Sequence, residues 1–170
     1  MVFAVETKIR TSTAGFRTFL RKLNEACNTV AVAGVINGDD DATETAILNE
    51  MGGVGVYTRG KYAGQTVDVP ARPFVASAIE HHADEILAVA EKNIDFDKGV
   101  DLMPALNAMG KKAAELQLET IESNGEGVPD WQKHNSPRTI ETKGGLDRPL
   151  YREDGKTFPI DYEIVKGGVR

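Results

Sequence analysis

Apolar residues along this chain recur with two different periods, and the switches between them mark out the elements. From Phe16 to Cys27 the positions Phe16, Phe19, Leu20, Leu23, Ala26 and Cys27 keep the spacing of one helix face. Arg17, Arg21, Lys22 and Glu25 take the other face, so an amphipathic helix is predicted. Thr29 to Ile36 is Val-rich with small residues between and reads as a buried strand, which Asn37-Gly38 turns. Asp39-Asp-Asp41 places carboxylates where a helix start favours them, ahead of a short helix over about Thr43–Met51 with Ala46, Ile47 and Met51 inward.

Gly52 to Val69 carries five glycines. Val54, Val56, Thr66, Val67 and Val69 suggest two strands around a Gly-rich tip, a long hairpin or protruding loop. Pro70-Ala-Arg-Pro-Phe74 ends it, because each proline biases its predecessor away from helix. One helix is predicted over about Phe74–Asn93 and a second over about Leu102–Ser123. The second carries its stripe on Leu102, Leu106, Met109, Ala113, Leu116 and Ile121. After Asn124 prolines and glycines break every period, until Asp161–Val165 alternates as a final strand. Residues 1–10 suit an edge strand or an extended arm. The fold class is α+β: a small mixed or antiparallel sheet packed against two long helices, with a long hairpin loop and a C-terminal arm. Residues 1–124 form the core domain and 125–170 the Pro/Gly-rich arm.

Composition narrows the function classes. The 170 residues suffice for one domain, and 41% are hydrophobic. A net charge of −6 argues against a DNA-binding face but suits a surface that DNA slides past. The segment MVFAVETKIR lacks the basic-then-apolar order of a signal peptide, and no apolar run is long enough for a membrane span, so a soluble protein made in the cytoplasm is expected. The lone Cys27 lies on an apolar helix face and reads as a buried core thiol.

Candidate chemistry is thin. Gly55-Val-Tyr-Thr-Arg-Gly-Lys61 matches most of a phosphate-binding loop, yet Tyr62 stands where Ser or Thr would reach a magnesium ion, and strand-like residues follow where a helix should open. His81-His82 point about a hundred degrees apart on a helix and make a poor chelate. Asp39–Asp41 lacks the glycine of a calcium loop, because Glu44 stands in its place. Neither a catalytic group nor a cofactor is expected.

Two segments carry a more specific pattern. The first is Ile47-Leu-Asn-Glu-Met-Gly52, the glycine-rich insertion, then Val69-Pro-Ala-Arg-Pro-Phe74. The second is Trp131, Asn135-Ser-Pro-Arg-Thr-Ile140, Lys143-Gly-Gly-Leu-Asp147, Arg148-Pro-Leu150 and Asp154-Gly155. In order and spacing, over roughly residues 44–160, they resemble the tail-completion and virion-morphogenesis proteins of tailed phages. Met51 stands where that family has an aromatic, and Asp154 where it has a threonine.

The resemblance implies a structural subunit of the phage neck or upper tail, made in the host cytoplasm and carried in the virion. It implies a ring of copies of this chain, a hexamer by analogy with sixfold tail tubes, meeting a connector or stopper and the tail-tube or terminator proteins. Viral DNA would pass through the lumen without specific binding, and no membrane is involved. A tail terminator capping the tube is the alternative, with a nucleotide-binding protein using Gly55–Lys61 behind it. Interface contacts are expected from Tyr57, Arg59, Lys61, Tyr62, Arg72, Trp131, Arg138, Lys143, Arg148 and Tyr151, because Tyr and Arg anchor protein interfaces well.

Overall fold

The structure, a computed structural model, describes residues 13–36, 38–58, 60–94, 101–152 and 154–167. Arg59 and the N-terminal arm of residues 1–10 lie outside them. Helix α1 (Thr13–Cys27) leads into strand β1 (Thr29–Val35), helix α2 (Asp40–Met51), and the hairpin of β2 (Gly53–Val56) and β3 (Thr66–Val69). Helices α3 (Phe74–His81), α4 (Ala83–Lys92), α5 (Met103–Glu122) and the short α6 (Pro137–Thr142) follow, and strand β4 (Ile160–Lys166) closes the chain. The α+β expectation holds, with two separate two-stranded antiparallel sheets in place of a single one.

β4 pairs with β1 from Thr29↔Lys166 to Val35↔Ile160, so the last strand returns to the first. Helix α5 covers this sheet, and α3 and α4 pack on the far side of α5. The two predicted long helices therefore do not lie side by side on one sheet. Helix α5 is a middle layer, buried on two faces. Toward the helices it presents Met109, Ala113 and Leu116 to Ala78 and Ile86. Toward the sheet it presents Gly110 and Gln117. A Cβ at Gly110 would lie 2.6 Å from the Tyr162 ring, so glycine lets the helix press onto the strand. Gln117 is fully buried and donates Nε2 to the Ala33 carbonyl at 3.2 Å.

Several expectations change in detail. The helix predicted over Phe74–Asn93 is two, broken at His82, whose Nδ1 lies 2.7 Å from Glu85 Oε1 in the first turn of α4. The break keeps both Ala78 and Ile86 against α5. Strand β1 is half-buried beyond Thr29, because among the described residues it has one neighbour strand and α5 over one face. Helix α2 starts earlier than expected, with Asp39 as N-cap accepting from the Ala42 amide at 2.7 Å, as the cap reading of the aspartates requires. It turns Ala42 and Ala46 inward and leaves Ile47 and Met51 exposed. Cys27 is exposed rather than a core thiol, because among the described residues α1 touches little beyond β1.

The main core gathers Ala42, Ala46, Phe74 and Ile121 with Trp131, Leu150 and Phe158 from the C-terminal segment. Phe74 and Phe158 stack at 6.3 Å between centroids. Trp131 lies over Gly125, where a Cβ would be 2.1 Å from the indole and where φ is +68°.

Candidate functional site

The sequence segments that carry the resemblance meet around one side chain, Arg72. It is 4% exposed, a buried side chain where an interface contact is expected. Its Nε donates to the Gln132 carbonyl at 2.9 Å, Nη2 to the His134 carbonyl at 3.1 Å and Nη1 to Asn49 Oδ1 at 3.1 Å. Its backbone amide donates to the Asn49 carbonyl at 2.6 Å. A planar guanidinium suits this task, because it reaches three acceptors in fixed directions. Burial lowers the Arg72 pKa and the nearby Asp147 charge opposes that, leaving an arginine still charged at neutral pH.

The neighbouring residues complete the joint. Pro73 supplies no side-chain cap to α3, so the Glu50 carboxylate does, accepting from the Val75 and Ala76 amides at 2.9 Å each. Asn49-Glu50 and Arg72-Pro73 thus lock together across the hairpin. On the C-terminal side, Asp147 accepts from the Asn135 amide at 2.7 Å and lies 2.7 Å from His134 Nδ1. The Asn135 hydrogen bond, then His134, hold the Asp147 carboxyl below its ordinary pKa. Trp131 is 7% exposed, with its indole N–H donating to Asn124 Oδ1 at 3.1 Å, so it too is turned inward.

A second group forms at the hairpin tip, where a single 3-10 turn spans Gly60–Tyr62. The tip does not protrude freely: it lies on α6, a helix the sequence reading missed because Pro137 opens it within a Pro/Gly-rich stretch. Ser136 caps α6 from the Thr139 amide, and Pro137 fills its first turn, a start signal that was present in the sequence. Tyr57 Oη lies 3.2 Å from Thr139 Oγ1, Tyr62 Oη donates to Glu141 Oε2 at 2.7 Å, and Lys61 Nζ donates to Glu141 Oε1 at 3.1 Å. Arg138 donates to Gln65 Oε1 at 3.2 Å and lies 5.3 Å from the Tyr62 ring centre. Hydrogen bonds from Tyr62 and then Lys61 lower the Glu141 pKa, and the Glu141 bond raises that of Lys61. Lys61 is therefore engaged with a carboxylate, and the chain runs from it into β3. The 3-10 turn at Lys61 leads into a strand and not into the α-helix that a phosphate-binding loop opens.

Lys143, Arg148 and Tyr151 form a third group. Lys143 Nζ donates to the Tyr151 carbonyl at 2.6 Å, and the Arg148 guanidinium lies 3.9 Å from the Tyr151 ring centre. Between the hairpin, α2 and the C-terminal segment runs a cleft of about 850 Å³, with Tyr57, Arg72, Lys143 and Tyr151 among its lining residues. Among the described residues no set of three His, Cys, Asp or Glu side chains is grouped to hold a metal ion. No described helix is long and apolar enough to cross a membrane. No family model, no curated protein and no solved structure matches the chain.

Proposed function

We propose that the chain is a structural subunit of the neck or upper tail of a tailed phage, completing the tail and helping to join it to the head, and not an enzyme. The observation that carries this reading is the convergence on Arg72. Asn49-Glu50, Pro70–Phe74, Asn135 and Asp147 belong to the phage-like pattern and lie far apart in sequence, yet Arg72 bonds to Asn49 and to the carbonyls of Gln132 and His134, just ahead of the Asn135 amide that Asp147 holds. A pattern whose parts hold each other is a pattern that specifies a fold, which explains why its short pieces occur together.

The surface supports the same reading. Large apolar side chains lie exposed on α1, α2 and β2, as expected of a subunit that is covered on assembly. The hairpin tip and α6 offer Tyr57, Tyr62, Lys61 and Arg138 as one composite rim, and Tyr and Arg favour such contacts.

The test is genetic and visual. In a phage encoding this chain, removing its gene should leave filled heads without joined tails, and a tagged copy should label the neck in electron micrographs. Deleting Gly55–Gln65 should give the same loss while the purified chain still folds. Normal virions assembled without the chain would refute the proposal. Tails of abnormal length beside the heads would assign the terminator role instead, because the terminator stops tube growth.

A further inference from the structure

Helix α1 keeps the apolar stripe that the sequence predicts, but among the described residues it has little beyond β1 to bury it against. Phe16, Phe19, Leu20 and Leu23 are 51%, 38%, 46% and 36% exposed. The helix rests on β1 and is tethered at its end by Lys22–Asp101 and Lys166–Glu25 contacts of 3.9 and 3.4 Å. Its charge is opposite in sign to that of the whole chain: Arg17, Arg21 and Lys22 stand against the single Glu25. Four large apolar side chains on one short helix, flanked by cations, form a surface shaped for a partner.

A surface of matching character lies elsewhere on the same chain. Helix α2 carries four carboxylates and no cation, against the three cations of α1. With Ala42 and Ala46 turned inward, its outer stripe is Asp40, Glu44, Ile47 and Met51, the last two 55% and 76% exposed. Val54, just past the helix, is 66% exposed. Asp40 and Glu44 form no ion pair among the described residues, and Arg17 forms none either.

We infer that α1 of one copy docks on the α2–β2 face of the next copy, its apolar stripe over Ile47, Met51 and Val54 and its arginines beside Asp40 and Glu44. Pairing α1 with α1 would set Arg17 and Arg21 against their own kind, which costs affinity. Pairing α1 with α2 joins unlike charges and covers both apolar strips at once. Such a contact is head-to-tail: each copy offers one donor face and one acceptor face, and repetition closes a ring or extends a filament. The inference deepens the ring-subunit reading by naming the two faces that meet. It fails separately from that reading: a self-associating chain absent from virions sinks the phage role alone, and a monomeric chain found in virions sinks this contact alone.

The experiment is sedimentation of the purified full chain up to about 100 μM, the range in which a contact of micromolar strength is populated. The wild-type chain should associate with rising concentration. R17E/R21E and D40K/E44K should each weaken association roughly a hundredfold, as like charges at an interface do. Both pairs lie on exposed positions, and circular dichroism should show each variant folded. Mixing the two variants should restore association, because every α1–α2 contact in an alternating assembly again joins unlike charges. Combining all four changes in one chain should restore it as well. The contact is overturned if the wild-type chain stays monomeric, which would mean that α1 is covered by the chain's own first residues or by another partner. It is equally overturned if either reversal has no effect, or if the mixture fails to associate.

Discussion

At the residue scale the chain depends on side chains whose roles ordinary pattern reading assigns to the surface. Arg72 reads as an exposed contact because it stands in a proline-bounded turn, yet it is the joint between three segments. Nothing local in the sequence announces this, since two of its partners are carbonyls 60 and 62 residues away and the third is the Asn49 side chain 23 residues back. Gln117 is similar: a polar residue on a predicted helix reads as solvent-facing, and it is buried because α5 is covered on two sides. Gly125 shows the reverse case, where a residue that looks like a simple helix stop is a seat for Trp131. Replacing it with alanine meets both a positive φ and the indole face. Gly125→Ala should lower stability by about 2–4 kcal/mol, in the range of overpacking and backbone strain together. Urea unfolding checks this, and Gly144→Ala, where nothing lies within reach of a Cβ, should cost only the backbone strain of its own positive φ.

Elements with a strong period were legible, and their environments were not. Helix α1, β1, the β2–β3 hairpin, α5 and β4 stand close to where periodicity places them. Which face of α2 is buried, and that α1 is left largely uncovered among the described residues, depends on tertiary neighbours that periodicity does not carry. Helix α6 is not legible in the sequence because six residues hold too little period to outweigh the surrounding prolines and glycines. The candidate site follows the same division. Tyr57, Lys61, Tyr62 and Arg138 were singled out one by one, and only the folded chain brings the hairpin tip onto α6. Glu141, which joins Lys61 and Tyr62, gave no sign of its role among so many carboxylates. Glu141→Ala should loosen the tip without unfolding the chain, because exposed pairs contribute little to global stability. Hydrogen exchange should show the Tyr57 and Gly64 amides, bonded across the tip at 3.0 and 2.8 Å, exchanging a few-fold faster while the β1–β4 amides keep their protection.

For the molecule as a whole, the arrangement of charges predicts how stability responds to acid. Glu85 is held below its ordinary pKa by His82 and then Lys112, Glu141 by Tyr62 and then Lys61, and Asp147 by the Asn135 amide and then His134. In each case the folded chain releases a proton more readily than the unfolded one, so the unfolded state binds more protons in the acid range and stability rises with pH there. These contributions are complete above the ordinary carboxylate pKa and are lost as pH falls through the lowered, folded values. Lys61 has the opposite sign: its raised pKa makes a contribution that is complete below the ordinary lysine value and is lost as pH rises through the folded one. Stability should therefore stay level between those limits and fall at both ends. Of the three carboxylates, Asp147 matters most to the architecture, because it fixes the segment whose carbonyls Arg72 holds. Asp147→Asn should lower the urea midpoint at neutral pH and flatten its decline as pH falls through and below the ordinary carboxylate range, since one of the protons taken up on acid unfolding is gone. If the variant and the wild-type chain keep parallel midpoints across that range, the Asp147 carboxylate does not couple acid to the joint, and the acid limb rests on other carboxylates, Glu85 and Glu141 among them.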